Sequence, residues 1–226
     1  MKTISYFLVL LLSSMIFTSC SEDDIIYSCD TTVNSWVKDN IAQIQQMTRA
    51  DWLRTNKELG IPTYRAFTPE QKERFWKEKF EEVKRLPWTP KELKHIHKVE
   101  QFIADHPYIF SGNPLTDSQL DELDLFFYQW QNEAIQKLNW RPEVGIAIAG
   151  TGNAMKNTKG EVVLLSSKRI EKMSTRAESS CNCNTGLISD FCFGAPGPCE
   201  NSSCSSRSIG CGWLFAQSCN GLCGGI

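Results

Sequence analysis

The sequence lacks the features on which nucleic-acid binding, membrane spanning and the common catalytic mechanisms depend. Its 26 Asp and Glu outnumber its 24 Lys and Arg, and a formal net charge of -2 disfavours nucleic-acid binding. The apolar run at residues 4–17 is shorter than the roughly 20 residues of a transmembrane helix. Gly150-Thr151-Gly152 lacks the Lys-Ser/Thr of a phosphate-binding loop, and no Ser, His and Asp set carries a nucleophile-elbow motif. We therefore predict a protein that is not an enzyme and uses no cofactor.

Histidine is also scarce, at three residues in the chain. His95 and His97 lie two positions apart in a predicted helix, so their rings point to different sides. This spacing predicts exposure to solvent rather than shared ligation of a metal ion.

The N-terminus has the organisation of a bacterial export signal. Lys2 precedes the apolar run at residues 4–17, and small residues follow that run. Phe17-Thr18-Ser19-Cys20 resembles a lipobox, with Phe17 where Leu is usual. The resemblance implies that residues 1–19 are removed as a lipoprotein signal peptide. It also implies that Cys20 is diacylated and that residues 20–30 form a lipidated tether.

The residues after Cys20 are acidic. Ser21, Glu22, Asp23 and Asp24 resemble the export signal that sends some Gram-negative lipoproteins to the outer face of the outer membrane. The resemblance implies a surface-exposed lipoprotein held in the membrane by the lipid on Cys20. The alternative is an ordinary secretory signal with a chance cysteine.

Residues 31–145 carry the pattern of an amphipathic helical domain. Three helix starts have a Thr followed three positions later by Glu or Gln, which is typical of a capping box: Thr68 with Gln71, Thr89 with Glu92, and Thr116 with Gln119. Apolar residues recur every three or four positions after each start. An earlier helical segment, residues 34–59, is predicted to break near Thr48. These stripes must be buried against one another, so the pattern predicts a small helical bundle.

Two short regions follow the helices. Residues 146–165 contain small apolar and β-type runs, which fit either a hairpin with a long turn or an extended linker. Residues 166–180 are polar and rich in Ser, and are predicted to be a flexible linker. Its basic residues Lys168, Arg169 and Arg176 predict a site where trypsin would release the C-terminal segment.

Residues 181–226 form a predicted disulfide-rich module with little regular structure. Eight of the ten cysteines lie here: Cys181, Cys183, Cys192, Cys199, Cys204, Cys211, Cys219 and Cys223. An even number in a short exported segment indicates four disulfides, because so short a chain buries too little surface to fold alone. About 105 pairings remain open, although Cys181 and Cys183 are too close to pair readily with each other. A zinc site is the alternative, but Cys-x-Cys is not the usual zinc spacing. Cys29 is left over, either as a thiol or in a bond between molecules.

The same segment resembles a known family. Its Cys181-Asn182-Cys183-Asn184-Thr185, Ser189-Asp190-Phe191-Cys192, Gly210-Cys211-Gly212-Trp213 and Cys219-Asn220-Gly221 are similar to motifs of fulvocin C, a cysteine-rich bacteriocin. The likeness covers only residues 181–223, and the spacing between cysteines departs from the family. The whole chain resembles the fulvocin C-related lipoproteins. This resemblance implies a surface-displayed, bacteriocin-like lipoprotein that antagonises neighbouring bacteria.

One apolar triplet in the module has two interpretations. Trp213, Leu214 and Phe215 are bulky for so small a segment, so they either contact a target or receptor or form a miniature core. The module carries Asp190 and Glu200 against Arg207 alone, which disfavours attack on anionic membranes. The alternative function is therefore a non-toxic surface interaction protein that binds a host or bacterial ligand through the same module.

Overall fold

A computed structural model describes residues 25–167, 183–185, 199–201 and 207–223. Some of the predicted features lie outside these residues: the signal peptide 1–19, Cys20, Glu22, Asp23, Asp24, residues 168–180, Cys181, Cys192 and Cys204.

Helices make up most of the described chain, as predicted. They are α1 (Thr31–Asp39), α2 (Ile41–Ile44), α3 (Arg49–Trp52), α4 (Lys57–Arg65), α5 (Pro69–Lys84), α6 (Pro90–Asp105), α7 (Asp117–Leu138) and α8 (Pro142–Gly145). A short 3-10 turn, Pro107–Phe110, follows α6. Within the described ranges, no helix is both long enough and apolar enough to cross a membrane.

The helix starts follow the capping boxes that the sequence predicts. Helices α5, α6 and α7 begin directly after Thr68, Thr89 and Thr116, and each hydroxyl accepts a hydrogen bond from the amide three residues on. The side chain of that third residue accepts one from the threonine amide in return, so two otherwise unpaired donors are satisfied. A further capping box, Thr48 with Asp51, lies at the start of α3. The predicted break of the helical segment 34–59 near Thr48 is therefore confirmed.

The apolar stripes of α5, α6 and α7 pack into one core. Side chains with no exposed surface come from all three helices: Trp76, Val83, Ile96, Val99, Leu123 and Phe127. Each such burial stabilises the fold by roughly 1.5–3 kcal/mol relative to an exposed side chain. The predicted combination of a helical bundle with a small cysteine-rich segment is confirmed.

The region after α8 corrects the sequence prediction in part. Ile146–Gly150 is not β-type but a buried π-helical turn that continues α8. A short apolar run cannot be assigned to helix or strand by its periodicity, which explains the error. The hairpin alternative is confirmed for the remainder, because β1 (Ala154–Met155) pairs antiparallel with β2 (Val162–Val163).

His95 also differs from the prediction, because it is 3% exposed and therefore buried. Its ring stacks on Trp130 of α7 with centroids 5.1 Å apart, and Nε2 lies 2.9 Å from the Trp130 carbonyl oxygen. His97 is exposed, as predicted. The buried face of α6 is wide enough to include His95, and burial lowers the pKa of its imidazole.

The cysteine-rich segment contains short antiparallel pairs. Strand β3 (Cys199–Asn201) pairs with β6 (Gly221–Cys223), and β4 (Arg207–Cys211) pairs with β5 (Gln217–Cys219). A 3-10 turn, Trp213–Phe215, lies between β4 and β5. These strands are too short to be stable alone, so their stability has to come from cross-links and from packing.

Disulfides supply the cross-links. The described bonds join Cys183 to Cys199 and Cys211 to Cys219, with Cα separations of 5.8 and 5.2 Å. Cys223 is disulfide-bonded as well. The disulfide-rich character is thus confirmed for the described cysteines, and Cys183 does not pair with Cys181. Bonds of this kind typically stabilise a fold by about 2–4 kcal/mol each.

Candidate functional site

The apolar triplet of the cysteine-rich segment lies inside the helical core. We call Trp213, Leu214 and Phe215 the aromatic plug; they are 4%, 0% and 7% exposed. The Phe215 ring lies 5.0 Å from the ring of Tyr64 and 5.4 Å from that of Trp76, between centroids. The plug therefore belongs to the same hydrophobic core as the helices.

Trp213 enters the core at a second place. Its ring is stacked on Phe127 of α7, with centroids 4.3 Å apart and planes 5° from parallel, and it meets Trp130 edge-on. The prediction that Trp213, Leu214 and Phe215 contact a target does not agree with this burial. The alternative prediction, that these three residues are buried in a core, agrees better with the structure. That core is formed with the helices, however, and not by the cysteine-rich segment alone.

Hydrogen bonds also hold the aromatic plug in the helical core. The Tyr64 hydroxyl donates to the Leu214 carbonyl oxygen at 3.3 Å and accepts from Trp76 Nε1 at 3.0 Å. Burial raises the pKa of the Tyr64 hydroxyl, so it stays protonated and remains a donor. The Tyr64 hydroxyl, the Trp76 indole N–H and the Leu214 carbonyl oxygen are thereby paired rather than left unsatisfied.

A glutamine connects the plug to α7. Gln217 Oε1 accepts from the Trp213 amide at 2.9 Å, and Gln217 Nε2 donates to Asp124 Oδ1 at 2.5 Å. Burial raises the pKa of the Asp124 carboxyl group. The plug is thus bonded to the helices as well as packed against them.

The backbone of the plug is strained. Leu214 and Phe215 have φ angles of 56° and 55°, in the left-handed region that bulky residues rarely adopt. That conformation costs roughly 1–2 kcal/mol per residue. The surrounding core must offset this cost, so the plug is a position that the tertiary structure imposes on the chain.

Arg65 at the end of α4 joins three parts of the molecule. Its Nε donates to the Ile209 carbonyl oxygen of β4 at 2.8 Å, and its Nη1 donates to the Tyr27 carbonyl oxygen at 2.9 Å. Nη2 lies 3.3 Å from the sulfur of Cys219. The segment before α1, the helices and the cysteine-rich segment therefore meet at one guanidinium group.

A glycine permits this close approach. Gly210 of β4 has φ 114°, and a Cβ atom at this position would lie 2.7 Å from Ile61 Cγ2 of α4. A larger residue would push β4 away from α4, and Arg65 would lose its contact with Ile209.

The burial of the aromatic plug argues against the predicted release of the C-terminal segment. The linker predicted at residues 166–180 starts against the helices, because the Ser166 carbonyl oxygen accepts from the Lys57 amide at 2.9 Å. We expect a cut further along the chain to leave the aromatic plug buried in the helical core. Release of the segment would require three large apolar side chains to move into water, which opposes the separation.

A cleft of about 670 Å³ lies where α4, the hairpin and the cysteine-rich segment meet. Its volume is typical of pockets that hold small ligands. Part of its wall is glycine: Gly60, Gly150, Gly210 and Gly212. Lys57 and Glu58 contribute one charge of each sign, and Leu164, 54% exposed, contributes an apolar edge. These groups suit a ligand that bonds to backbone and also has an apolar part.

Buried charges hold one wall of the cleft in place. Arg49 Nη2 donates to the Gly152 carbonyl oxygen at 2.9 Å, and Arg49 Nη1 is paired with Glu82 at 2.7 Å. Lys79 is fully buried and donates to the Asn153 carbonyl oxygen. Burial, with Arg49 nearby, lowers the pKa of Lys79 to about 7. The loop that contains Gly152 and Asn153 is therefore fixed to α3 through Arg49 and to α5 through Lys79.

Gly152 is required where this loop crosses the core. A Cβ atom there would collide with the ring of Phe75 and would lie 3.1 Å from Trp52. The sequence motif Gly150-Thr151-Gly152, which is unsuited to phosphate binding, thus has a packing role.

Sequence reasoning missed the polar residues that assemble this site. Arg65 and Gln217 lie 152 residues apart, and no local pattern marks either as buried or bonded. The two glycines around Cys211 were the visible signal, since Gly-x-Gly beside a cysteine is typical of constrained backbone. In the described ranges, no group of three or more His, Cys, Asp or Glu side chains is placed to hold a metal ion.

Comparisons of the chain with protein-family models, with curated proteins and with solved structures found no match.

Proposed function

We propose that this protein is a non-enzymatic, surface-displayed lipoprotein of the outer membrane that binds a host or bacterial ligand in the cleft. The burial of the aromatic plug in the helical core carries the proposal. It makes the helices and the cysteine-rich segment one folded unit, and the cleft is formed only when the two are together. A rigid unit with a preformed cleft suits recognition of a ligand.

A bacteriocin-like role is the second candidate, supported by the resemblance to fulvocin C in residues 181–223. A diffusible toxin requires a segment that leaves its carrier, whereas the plug opposes that separation. A lipid tether also suits a binding protein better than a diffusible toxin. Antagonism would therefore act through contact between cells, by the whole protein.

The arrangement around Arg65 is compatible with an anchor at Cys20. The Tyr27 carbonyl oxygen accepts a hydrogen bond from Arg65, and Tyr27 is only seven positions along the chain from Cys20. Such a segment spans at most about 25 Å when fully extended. In the proposed lipoprotein, the end of the molecule near Arg65 would accordingly stay close to the membrane.

Replacing Cys20 by serine is expected to leave an unlipidated precursor that the lipoprotein peptidase does not cut, because the thiol is the site of acylation. Palmitate labelling and the mass of the product measure this. Replacing Glu22, Asp23 and Asp24 by alanine should retain the lipid but expose the protein on the periplasmic side, as measured by protease shaving of intact cells. Labelling that persists in the serine variant would refute the anchor.

Leu164→Glu is expected to weaken binding of the protein to cells or glycans by about tenfold or more, because it places a charge on the apolar edge of the cleft. Leu164 is exposed, so the fold should be retained. Val163→Glu is the matched control, since Val163 is 48% exposed and does not line the cleft. Equal binding by both variants would contradict the role of the cleft.

The two candidate functions are separated with the same variants. The oxidised wild-type protein is spotted on lawns of related bacteria and, in parallel, tested for binding to cells and to a glycan panel. Binding without growth inhibition supports the proposal. Growth inhibition that is lost on thiol reduction and retained in Leu164→Glu would favour the bacteriocin-like role.

A further inference from the structure

One border of the cleft is an apolar segment that begins in a strand. Leu164 and Leu165 directly follow β2 and line the cleft, and Ser166 then forms a parallel bridge with Asn56. The sequence of residues 162–165 contains neither a charge nor a proline, and Leu164 is 54% exposed. Proteins usually cover such an edge or interrupt it with charge or proline, because it is a template for pairing with another chain.

The main chain of Leu164 points away from β1. The Lys156 amide donates to the Glu161 carbonyl oxygen at 2.8 Å, so these two residues form a hydrogen-bonded pair of the hairpin. Main-chain groups alternate between the two edges of a strand, so Val163 also faces β1 and Leu164 faces the open edge. Within the part of the chain that the structure describes, neither the amide nor the carbonyl group of Leu164 has a hydrogen-bond partner. A donor and an acceptor are therefore available side by side at the border of the cleft.

The rest of the lining leaves room for a second main chain. Gly210 and Gly212 have no side chain that would keep another backbone at a distance. Ile61 of α4 is partly exposed and, with Leu164, gives the cleft apolar surface that a ligand can reach. Lys57 and Glu58 are both exposed and carry one charge of each sign, which favours neither an acidic nor a basic ligand.

We propose that the cleft binds an extended peptide segment with aliphatic side chains, which adds as a strand beside Leu164. This inference rests on the proposed function, because it names the chemical class of the ligand that the cleft recognises. A peptide residue opposite Leu164 donates to its carbonyl oxygen and accepts from its amide, as in an antiparallel or parallel sheet edge. Side chains of an added strand point alternately to its two faces, and one set lies on Leu164 and Ile61.

The binding experiment uses the purified full chain in its oxidised form. The probe is a library of heptapeptides, blocked at both ends, with valine, isoleucine, leucine or threonine at alternate positions. Retained peptides are identified by mass spectrometry, and the one that binds most tightly is titrated by calorimetry. Its main-chain nitrogens are then methylated one at a time. Methylation is expected to weaken binding about tenfold where the amide donates to Leu164, and less than threefold at the two neighbouring positions.

Two variants test the same hydrogen bonds from the side of the protein. Proline and valine have side chains of similar size, but proline lacks the amide donor. Leu164→Pro is therefore expected to weaken binding of the titrated peptide about tenfold or more, and Leu164→Val about threefold through its smaller apolar surface. Circular dichroism and urea unfolding check that both variants are folded. The methylated peptides leave the protein unaltered, so they decide the question if Leu164→Pro disrupts the hairpin.

The inference is overturned if no peptide of the library binds wild type at millimolar concentration. It is also overturned if methylation weakens binding equally at every position, or if Leu164→Pro and Leu164→Val bind alike. Binding to cells or glycans that Leu164→Glu still weakens, without any binding of peptides, would remove the peptide and leave the proposed function standing.

A second copy of the chain is the remaining occupant that the experiment distinguishes. Dimerisation of wild type in analytical ultracentrifugation that Leu164→Pro abolishes, and that the titrated peptide does not reverse, would assign the edge to self-association and overturn the inference. If peptides, cells and glycans all fail to bind in a manner that depends on Leu164, the proposed function fails together with it.

Discussion

Replacing Phe215 by alanine is expected to lower the free energy of unfolding by about 3–5 kcal/mol, the usual cost of deleting a large buried aromatic side chain. Phe215 is 7% exposed, and its ring meets the rings of Trp52, Tyr64, Phe75 and Trp76. The variant leaves a cavity among these rings. It also removes ring contacts that offset the strain of the left-handed backbone at Phe215. Urea unfolding followed by tryptophan fluorescence and circular dichroism measures the change.

Tyr128→Ala is the matched control for loss of an aromatic ring. Tyr128 lies on α7 and is 50% exposed, so its replacement should change the stability by about 0.5 kcal/mol or less. If Phe215→Ala were as mild as this control, the plug would not be part of the helical core. The proposal that the two parts form a single binding unit would then fail as well.

A second measurement tests the same burial without removing a side chain. A specific protease site is inserted after Arg176 and the chain is cut there, before all the described half-cystines of the cysteine-rich segment. The two fragments are expected to elute together in native buffer and to separate in denaturant, because the plug remains in its seat. Separation in native buffer would restore the interpretation of a releasable module.

The pH dependence of stability is expected to differ between wild type and Lys79→Met by about 3 kcal/mol between pH 6 and pH 9. The pKa of Lys79 is lowered by burial from its ordinary 10.5 to about 7. Between these two values the unfolded chain keeps the proton on this amine, whereas the folded chain has lost it. The contribution of Lys79 to the free energy of unfolding therefore rises by about 1.4 kcal/mol per pH unit between pH 7 and pH 10.5. This contribution is lost again as the pH falls from 10.5 to 7.

Lys79→Met removes the titrating group and keeps a side chain of similar length. When the free energy of unfolding of the variant is subtracted from that of wild type at each pH, the contributions of all other titrating groups cancel. Lys77→Met is the control for the loss of an exposed lysine from the same helix. A wild-type profile parallel to that of Lys79→Met would show that Lys79 keeps an ordinary pKa, stabilised by Glu82 and the Asn153 carbonyl.

The helices were predictable because their signals are local. A threonine such as Thr68 and the glutamine three residues on satisfy each other's backbone donors wherever the helix lies. The apolar stripes then require burial, whatever surface provides it. The disulfide-rich character was likewise visible in the number and crowding of the cysteines, although their pairing was not.

The partners of the buried groups were decided only by the tertiary structure. Composition marks Trp213, Leu214 and Phe215 as too bulky for their segment, but not whether they enter a target, their own segment or the helices. The sequence likewise does not show that His95 is buried. In the structure the buried face of α6 includes His95, and its ring stacks on Trp130. Arg65 and Gln217 find partners far along the chain, where no spacing rule applies.

The sequence by itself therefore determined where helices begin, which faces are apolar and that the C-terminal segment needs cross-links. Each of these follows from interactions within a few residues or from composition. The tertiary structure alone decided that the helices and the cysteine-rich segment share a core, with the cleft between them. That outcome depends on which apolar surfaces remain uncovered after the helices pack, a property of the whole folded chain rather than of any segment.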